Sequence, residues 1–417
     1  MLGNLENEIN KEQFDVAVIG GGPSGFSAAV AAARAGANVL LVERREFLGG
    51  VATASMFQPW RGFHSFGRQV VNGIGEEIVQ RLQAAGGSPG HLVDPTGISF
   101  TVTPFDGDLL IAILRDFAAT EHVSILLGAQ CTGVRMIDRD IAAITIGSKR
   151  NETTLHARVY VDATGDGFVA VKAGAKSIHH EATASWRFSM SRVDKKAVLD
   201  FAQRNPHEFS KGPTTEDSPF FSLKGFSSFT KKWQEHIPAL RKRDSIQMDG
   251  AACNDDVVIS MIELPGVNPD DSESLLRARM RCDEIVPKGI KLLAEDIPGF
   301  KNADLHRVAS ELGFHAQRQV AGLHAVSDSD VISGRMFDDA VATCAMPGRP
   351  AEIFQVPESA LCVPSVRNLF VTGRCVLPPT ALFSTNAQPA SFQLGEAAGK
   401  KAAEAALKFN TSRQERR

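Results

Sequence analysis

Residues 18–25 read VIGGGPSG and place Gly20, Gly22 and Gly25 in the pattern GxGxxG. The apolar run FDVAVIG before the last two glycines is typical of a buried strand, and the alanine-rich PSGFSAAVAAARAG is typical of a helix. The first glycine permits a tight turn, the second lets a pyrophosphate approach the backbone, and the third lets the helix pack against the strand. The pattern therefore predicts a phosphate site at the N-terminus of that helix.

A second strand, NVLLVE, follows the helix and ends at Glu43. Two strands joined by a helix form a βαβ unit, which predicts a parallel sheet. Glu43 follows the glycines at close to the spacing of about 20 residues at which dinucleotide-binding proteins carry a carboxylate for the ribose hydroxyls. Such a carboxylate would repel a 2′-phosphate, so the sequence argues against NADP at this site.

Two more strands end in glycine turns, VYVDATGDG at 159–167 and NLFVTGRC at 368–375. The carboxyl ends of parallel strands meet at one edge of a sheet, where ligands bind. A simple NAD dehydrogenase would not need the C-terminal strand to return to the sheet, and a disulfide reductase would carry a second GxGxxG and a CxxC pair. A long ligand with a pyrophosphate, a ribityl chain and a ring system would use all three turns, and we therefore predict FAD.

Composition narrows the class of protein. The 417 residues predict about two or three domains, and 43% hydrophobic with 22% charged residues is ordinary for a globular chain. A net charge of −3 argues against nucleic acid as a partner. The six cysteines form no CxxC pair, which argues against zinc or iron–sulfur sites, and we expect no metal. The polar N-terminus and the absence of long apolar runs predict a soluble cytoplasmic protein with no membrane partner.

The order of the patterns predicts an α/β protein in which one domain is assembled from both ends of the chain. Residues 1–175 and 351–417 are expected to form a Rossmann-like FAD-binding domain with a central parallel sheet and a small β-meander between 123 and 161. Residues 176–350 lose the strand–helix rhythm and are expected to form an inserted α+β substrate or cap domain. The oligomeric state stays open between monomer and homodimer.

The motifs GGGPSGFSAAVAAARAG, LLVERREFLGGVAT, VDATGDG and NLFVTGRC, with the closing helix QLGEAAGKKAA, carry a family resemblance. The chain resembles the FAD-dependent oxidoreductases of the glutathione-reductase-like, two-dinucleotide-motif superfamily. More narrowly, it is similar to a broad bacterial family that reads GGxAT after the second strand and AGRC near the end. The first two motifs are specific for FAD, and none is specific for a substrate.

The resemblance implies a role for residues along the whole FAD molecule, which is expected to be held non-covalently. Glu43 would hold the adenosine ribose, Arg44 would lie near the adenosine, and the final helix, from about Ser391, would point its N-terminus at the flavin pyrimidine. Where many flavoproteins carry Asp after the last strand's glycine, this chain carries Arg374. The residues predicted to bind the cofactor are Gly20, Gly22, Pro23, Ser24, Gly25, Glu43, Arg44, Gly49, Gly50, Val51, Ala52, Cys131, Ala163, Gly165, Asp166, Gly373, Arg374, Gln388 and Ser391.

The stretch ATASMFQPWRGFHSF at 52–66 is expected to run past the flavin and supplies the catalytic candidates. Arg61 could bind a substrate carboxylate through its fork of N–H groups, or form an ordinary salt bridge. His64 could act as a general base, or be a hydrogen-bonded loop histidine; a covalent bond from His64 to the flavin is a further alternative. Secondary candidates are His179, His180, His315 and Arg318 (the last two in a helix-like segment), Asn386, and Cys375, which is expected to be an inert buried thiol.

Three functions stay open at this stage. The first is an FAD-dependent dehydrogenase or oxidase that moves a hydride from a small organic substrate to flavin N5. The second is a monooxygenase whose FAD is reduced by NAD(P)H. The third is a flavin-binding subunit that passes electrons or only stabilises a complex. The sequence does not identify the substrate or the electron acceptor.

Overall fold

The computed structural model describes residues 14–149, 151–209, 220–240, 245–250, 256–314, 318–346, 352–379 and 387–414. The strands, in chain order, are β1 (Phe14–Ile19), β2 (Val39–Glu43), β3 (Trp60–Arg61), β4 (His64–Ser65), β5 (Arg68–Gln69), β6 (Leu92–Val93), β7 (Thr101–Thr103), β8 (Ser124–Leu127), β9 (Ala129–Ile137), β10 (Asp140–Ser148), β11 (Glu152–Leu155), β12 (Ala157–Asp162), β13 (Ser177–His179), β14 (Thr183–Ser191), β15 (Ser222–Gly225), β16 (Ile246–Gly250), β17 (Val257–Pro265), β18 (Asp304–Val308), β19 (Gly313–Phe314), β20 (Arg318–Val320), β21 (Ala340–Ala345), β22 (Ile353–Pro357) and β23 (Leu369–Val371).

The α-helices are α1 (Pro23–Arg34), α2 (Val51–Ala54), α3 (Ile74–Ala84), α4 (Gly107–Thr120), α5 (Phe168–Lys172), α6 (Lys195–Arg204), α7 (Ser227–Trp233), α8 (Ser272–Asp296), α9 (Asp328–Ile332) and α10 (Ala387–Gln414). Short 3₁₀ turns occupy Pro206–Glu208, Pro238–Leu240, Glu358–Leu361 and Arg374–Val376. No helix in these described ranges is long and apolar enough to cross a membrane.

The predicted parallel sheet is confirmed. Its strand order is β23-β12-β1-β2-β8, and every neighbouring pair is parallel. β1 and β2 are buried along their whole length, as expected for strands covered on both faces. β12 and β23 lead into the second and third glycine turns, so all three turns lie at the same sheet edge. The predicted meander is the antiparallel sheet β11-β10-β9.

Helix α10 fixes the C-terminal end of the chain to the first glycine motif. It packs along α1, and two of its glycines make the close approach possible. A Cβ on Gly395 would lie 2.0 Å from Ser24 O, and one on Gly399 would lie 2.1 Å from Ala28 O. Any side chain at either position would therefore push the two helices apart.

The segment after the second glycine turn forms a separate sheet with its own core. Its strand order is β15-β16-β17-β14-β18, with β19 also paired to β14, and all these pairs are antiparallel. Helix α8 packs on β14 and β17, and the core between them includes Trp186, Phe188 and Phe300. This is the α+β arrangement that the loss of strand–helix rhythm predicts.

The residues of the two hydrophobic clusters, one around the central sheet and one in the inserted sheet, indicate where the inserted segment ends. Val320, Ala342 and Cys344, from β20 and β21, belong to the cluster around the central sheet, not to the cluster of the inserted sheet. β21 also packs against α10. The predicted domain limits at 175 and 350 stay predictions, and we propose that the second limit lies after β19.

Candidate cofactor site and active site

Of the three glycines of the GxGxxG pattern, Gly20 and Gly25 are required by the fold itself. Gly22 instead leaves space beside the backbone. Gly20 has a φ of 110°, and a Cβ there would lie 2.3 Å from Ala163 O. A Cβ on Gly25 would lie 1.7 Å from Gly20 O, so a side chain would separate α1 from β1. Among the described residues, a Cβ on Gly22 would meet only Gly50 Cα, at 3.7 Å. The open side of Gly22 is where a ligand can approach the backbone.

Helix α1 begins directly at this open side. Gly22 is its N-cap residue and Pro23 is its first residue, and the described part of the chain supplies no side-chain cap to its free N–H groups. A helix N-terminus without a side-chain cap offers N–H donors and the positive end of the helix dipole to an anion. The turn therefore fits a pyrophosphate, as the spacing of the glycines predicts.

The second and third glycine turns contact each other beside the first. Thr372 N donates to Asp162 O at 3.0 Å, and Arg374 Nε donates to Gly165 O at 2.6 Å. A Cβ on Gly373 would lie 2.6 Å from Ser24 Oγ, so the third turn approaches the start of α1. These contacts bring together three strand ends that are far apart in the sequence.

The two aspartates of the second turn have different roles. Asp162 is fully buried, and its carboxylate accepts hydrogen bonds from Thr164 N, Thr164 Oγ1 and Ala170 N. Burial raises the pKa of Asp162 to about 6, although these hydrogen bonds oppose the shift. Asp166 lies on the wall of a cavity, and its Oδ1 is buried without a hydrogen-bond partner in the described part of the chain. Asp162 holds the turn, whereas Asp166 is free to contact a ligand.

A cavity of about 900 Å³ lies where the three turns meet. Most of the predicted cofactor residues line it, namely Gly20, Gly22, Pro23, Ser24, Glu43, Arg44, Gly50, Val51, Cys131, Ala163, Gly165, Asp166, Arg374, Gln388 and Ser391. The predicted residues Gly25, Gly49, Ala52 and Gly373 are not on its wall. Their nearest contacts are with the protein, and their roles as cofactor ligands stay predictions.

Glu43 is the carboxylate at one end of the cavity. It is 2% exposed; its Oε2 accepts from Gly21 N at 2.6 Å, and its Oε1 accepts from Arg45 N and Arg45 Nη1 at 3.0 and 3.1 Å. Cys131 lies on β9 at the same cavity, and burial raises the pKa of its thiol to about 11. A neutral thiol there suits a wall residue and not a nucleophile.

The sequence reasoning missed the residues that the inserted segment and its neighbours bring to the cavity. Arg45 lines the cavity beside Arg44, and its side chain is 14% exposed against 54% for Arg44. The others are Phe57, Pro269, Leu275, Leu276, Arg279, Glu311, Leu312 and Phe314. No sequence signal could have found Glu311 or Phe314, because they reach the cavity only through tertiary packing.

Arg61 does not line the cavity. Its Nε donates to Asp94 at 3.0 Å, and its Nη2 donates to Asp249 at 3.0 Å and to Ser222 at 3.2 Å. Burial alone would lower the pKa of Arg61, but the charges of Asp249 and Asp94 raise it. The structure therefore favours the salt-bridge alternative for Arg61, and a role in binding a substrate carboxylate stays a prediction.

His64 also lies off the cavity wall. Its Nδ1 is 3.2 Å from Thr101 Oγ1, and its ring stands edge-on to His91 with centroids 4.7 Å apart. Burial, followed by the nearby His91, lowers the pKa of His64. His64 is thus hydrogen-bonded, as one alternative of the sequence analysis has it, but it lies in the short strand β4 and not in a loop. The catalytic and covalent roles stay predictions.

The secondary candidates are also placed. His179 ends β13 and is exposed, while His180 follows it with a buried Nε2 that has no partner in the described ranges. Arg318 was expected in a helix but lies in strand β20, where it pairs with β13 and its Nη2 donates to Asp270. Burial raises the pKa of Cys375 well above its usual range, which fits the inert thiol. His315 and Asn386 lie outside the described residues.

Helix α10 contributes to the cavity wall, and its described residues begin at Ala387, a turn before the start predicted at about Ser391. Gln388 and Ser391 line the cavity. The Gln388 amide is fixed, because it donates to Phe57 O at 2.8 Å and accepts from Trp60 Nε1 at 3.3 Å. The cavity wall thus carries a buried carboxylate, a helix N-terminus, an aromatic ring and a fixed side-chain amide. This donor set fits FAD.

The model of the FAD dependent oxidoreductase family matches residues 15–415, which is nearly the whole chain. The chain belongs to the FAD-dependent oxidoreductase family. FAD is therefore its cofactor, and the protein is an enzyme of the oxidoreductase class. The prediction from the three glycine turns is confirmed at this level. Membership of the glutathione-reductase-like superfamily and the non-covalent state of the FAD stay predictions.

The individual proteins that this chain resembles have low sequence identity to it. The thiamine thiazole synthase of Methanothermobacter thermautotrophicus is 28% identical over 187 residues, and the match spans 43% of this chain and 66% of that protein. A geranylgeranyl bacteriochlorophyll reductase-like protein from Thermoplasma acidophilum has a TM-score of 0.51 at 15% identity, covering 97% of this chain and 84% of its own. The myxobacterial chondrochloren halogenase CndH has a TM-score of 0.50 at 12% identity, covering 96% and 76%. At these identities the two structures show a shared fold.

Proposed function

We propose that this member of the FAD-dependent oxidoreductase family is a dehydrogenase or oxidase that takes a hydride from a small organic substrate. The observation that carries the proposal is the composition of the cavity wall outside the glycine turns. There the inserted segment contributes Leu312 and Phe314, and the loop after α2 contributes Phe57. Apolar walls with a few fixed polar groups are typical of sites for small organic molecules, and they keep water from the reacting atoms.

Phe57 is a rigid part of that wall. The Arg187 guanidinium lies over its ring at 3.7 Å from the centroid. On another side the ring presses on the Gly313 backbone, where a Cβ would lie 1.9 Å from Phe57 Cε2. Its carbonyl accepts from Gln388. An aromatic ring packed on two sides, on a backbone that is itself hydrogen-bonded, can orient a substrate without reorganising.

In the proposed reaction, a C–H bond of the substrate breaks and its electron pair leaves as hydride, while the proton of the neighbouring O–H or N–H group is released, leaving C=O or C=N. FAD supplies the hydride acceptor at flavin N5. The chain contributes positive electrostatic potential, because the α10 N-terminus adjoins cavity residues Gln388 and Ser391, and the Arg374 guanidinium also lines the cavity. Positive potential stabilises the negative charge that arrives with the hydride.

The test is anaerobic reduction of the purified holoprotein, followed by its visible absorbance. One set of samples receives NADH or NADPH, and another receives a panel of alcohols, hydroxy acids and amines. Photoreduction of a parallel sample verifies that the bound FAD can be reduced. We expect an organic compound to bleach the FAD and neither nicotinamide to do so.

Two results would count against the proposal. Bleaching by NADH or NADPH, faster with an organic compound present, would favour the monooxygenase. Bleaching only by a partner flavoprotein or a reduced electron carrier would favour the electron-transfer subunit. Steady turnover of an organic compound by the isolated chain would exclude that last alternative.

A further inference from the structure

Four charged side chains form a continuous chain of contacts at the Glu43 end of the cavity. Glu43 accepts from Arg45 Nη1 at 3.1 Å, and Glu311 accepts from Arg45 Nη2 at 2.6 Å. Glu311 also pairs with Arg44 Nη2. Arg44, Arg45, Glu43 and Glu311 all line the cavity. Glu311 thus links two consecutive arginines of the FAD-binding part to the inserted segment.

The position of Glu311 is set by contacts that do not involve the arginines. Ser310 N and Glu311 N donate to Ala54 O at 2.9 and 3.3 Å. Arg279 Nη1 donates to Ser310 O at 3.2 Å. The Glu311 backbone is therefore anchored independently of Arg44 and Arg45, and its carboxylate is the shared partner of both guanidinium groups. A residue that acts on a ligand through two other side chains is a positioning residue.

Arg45 has one buried nitrogen without a hydrogen-bond partner in the described part of the chain. Its Nη1 and Nη2 are occupied by Glu43 and Glu311, but its Nε is buried and has no hydrogen-bond partner in the described part of the chain. A buried N–H group without a partner is unfavourable, and a ligand oxygen would satisfy it. The neighbouring Glu43 is the carboxylate expected to hold the adenosine ribose, so this donor lies near the adenosine half of FAD.

We propose that Glu311 positions Arg44 and Arg45 against the adenosine half of FAD and thereby makes the site prefer FAD over FMN, which lacks the adenosine. Without the Glu311 carboxylate the two adjacent arginines would repel each other, and Arg45 would lose one of the two contacts that fix its guanidinium. The contacts that hold Phe57 and Gln388 do not involve the Glu311 carboxylate, so we expect them to persist in its absence.

The experiment uses apoprotein of the full chain and measures binding of FAD and of FMN by flavin fluorescence. The variants are Glu311→Gln, which removes the charge and keeps the shape, and Glu311→Asp, which keeps the charge. The matched control is Glu77→Gln, because Glu77 on α3 pairs with Arg34 far from the cavity and has a similar exposure, 35% against 29%. We expect Glu311→Gln to weaken FAD about tenfold, FMN less than about twofold, and Glu311→Asp to recover part of the loss.

A second measurement does not depend on FMN binding. The rate at which the holoprotein loses FAD to an excess of a scavenging apoflavoprotein is recorded at low and high salt. In wild type and Glu77→Gln, salt should accelerate the loss of FAD, because it screens the ion pairs at Glu311. In Glu311→Gln, the loss of FAD should be fast already at low salt and less sensitive to added salt. Equal weakening of FAD and FMN, or an unchanged FAD affinity and release rate in Glu311→Gln, would overturn the proposal.

Discussion

At the scale of single residues, substitutions of Gly22 and Gly25 distinguish a loss of cofactor binding from a loss of stability. A Cβ on Gly22 makes only an ordinary contact with Gly50, whereas a Cβ on Gly25 would overlap Gly20 O. We expect Gly22→Ala to leave the unfolding midpoint of the apoprotein almost unchanged and to weaken FAD at least about tenfold, because the methyl group occupies the approach to the backbone. Gly25→Ala should destabilise the apoprotein itself. Urea unfolding and FAD titration of both variants check this, and a Gly22→Ala variant with normal FAD affinity would contradict it.

Asp162 predicts a pH dependence of stability. Its pKa is raised by burial to about 6, so between about pH 4 and pH 6 the folded chain holds a proton that the unfolded chain has lost. Its contribution to the free energy of unfolding is therefore full at low pH and is lost as the pH rises through that window, by at most roughly 3 kcal/mol.

The variant Asp162→Asn isolates this contribution. It should be less stable than wild type at every acidic pH, since its amide cannot replace all the hydrogen bonds from Thr164 and Ala170. The difference between the two proteins should shrink as the pH rises from 4 to 6. Denaturant unfolding of both apoproteins across this range measures it, and parallel pH curves would show that the Asp162 pKa is not raised.

At the scale of elements, Arg61 joins β3 to the inserted sheet. Its partners Ser222 and Asp249 lie on β15 and β16, and Asp94 lies in the loop after β6. Removing Arg61 leaves two buried carboxylates without their counter-charge. We expect Arg61→Met to lower the free energy of unfolding by about 3–5 kcal/mol.

The exposed Arg68 of the neighbouring β5 provides the control, and Arg68→Met should have little effect. Chemical unfolding of both variants tests the structural role. A stable Arg61→Met protein with a raised KM would instead support the substrate-binding role predicted from the sequence.

The strands of the two sheets show why the sequence predicts some elements and not others. β1, β2, β12 and β23 are short apolar runs that end in glycine or an acid, and such local patterns determine both the strands and their common sheet edge. The order of the inserted antiparallel sheet depends on pairings between distant segments, such as β14 with β17 and β18, which no local pattern records. The sequence singled out Arg44 and not Arg45 for the same reason, because both pair with the distant Glu311 and only the burial of Arg45 and its contact with Glu43 distinguish the two.

At the scale of the whole molecule, the cofactor cavity is built from both ends of the chain and from the inserted segment. A ligand that contacts all of these parts binds only the folded state. We therefore expect added FAD to raise the midpoint of thermal unfolding of the apoprotein in a concentration-dependent way, by an amount equivalent to about 2.7 kcal/mol at one hundred times the dissociation constant. Gly22→Ala, which is expected to bind FAD weakly, should show a much smaller rise at the same FAD concentration.

The most direct test of the account is the visible spectrum of the purified protein before and after acid precipitation, with the released compound identified by chromatography. We expect a yellow protein that releases FAD into a yellow supernatant, in a ratio near one FAD per chain. A yellow pellet would contradict non-covalent binding. A colourless protein that stays colourless after incubation with FAD and removal of the excess would contradict the assignment of the cavity as an FAD site.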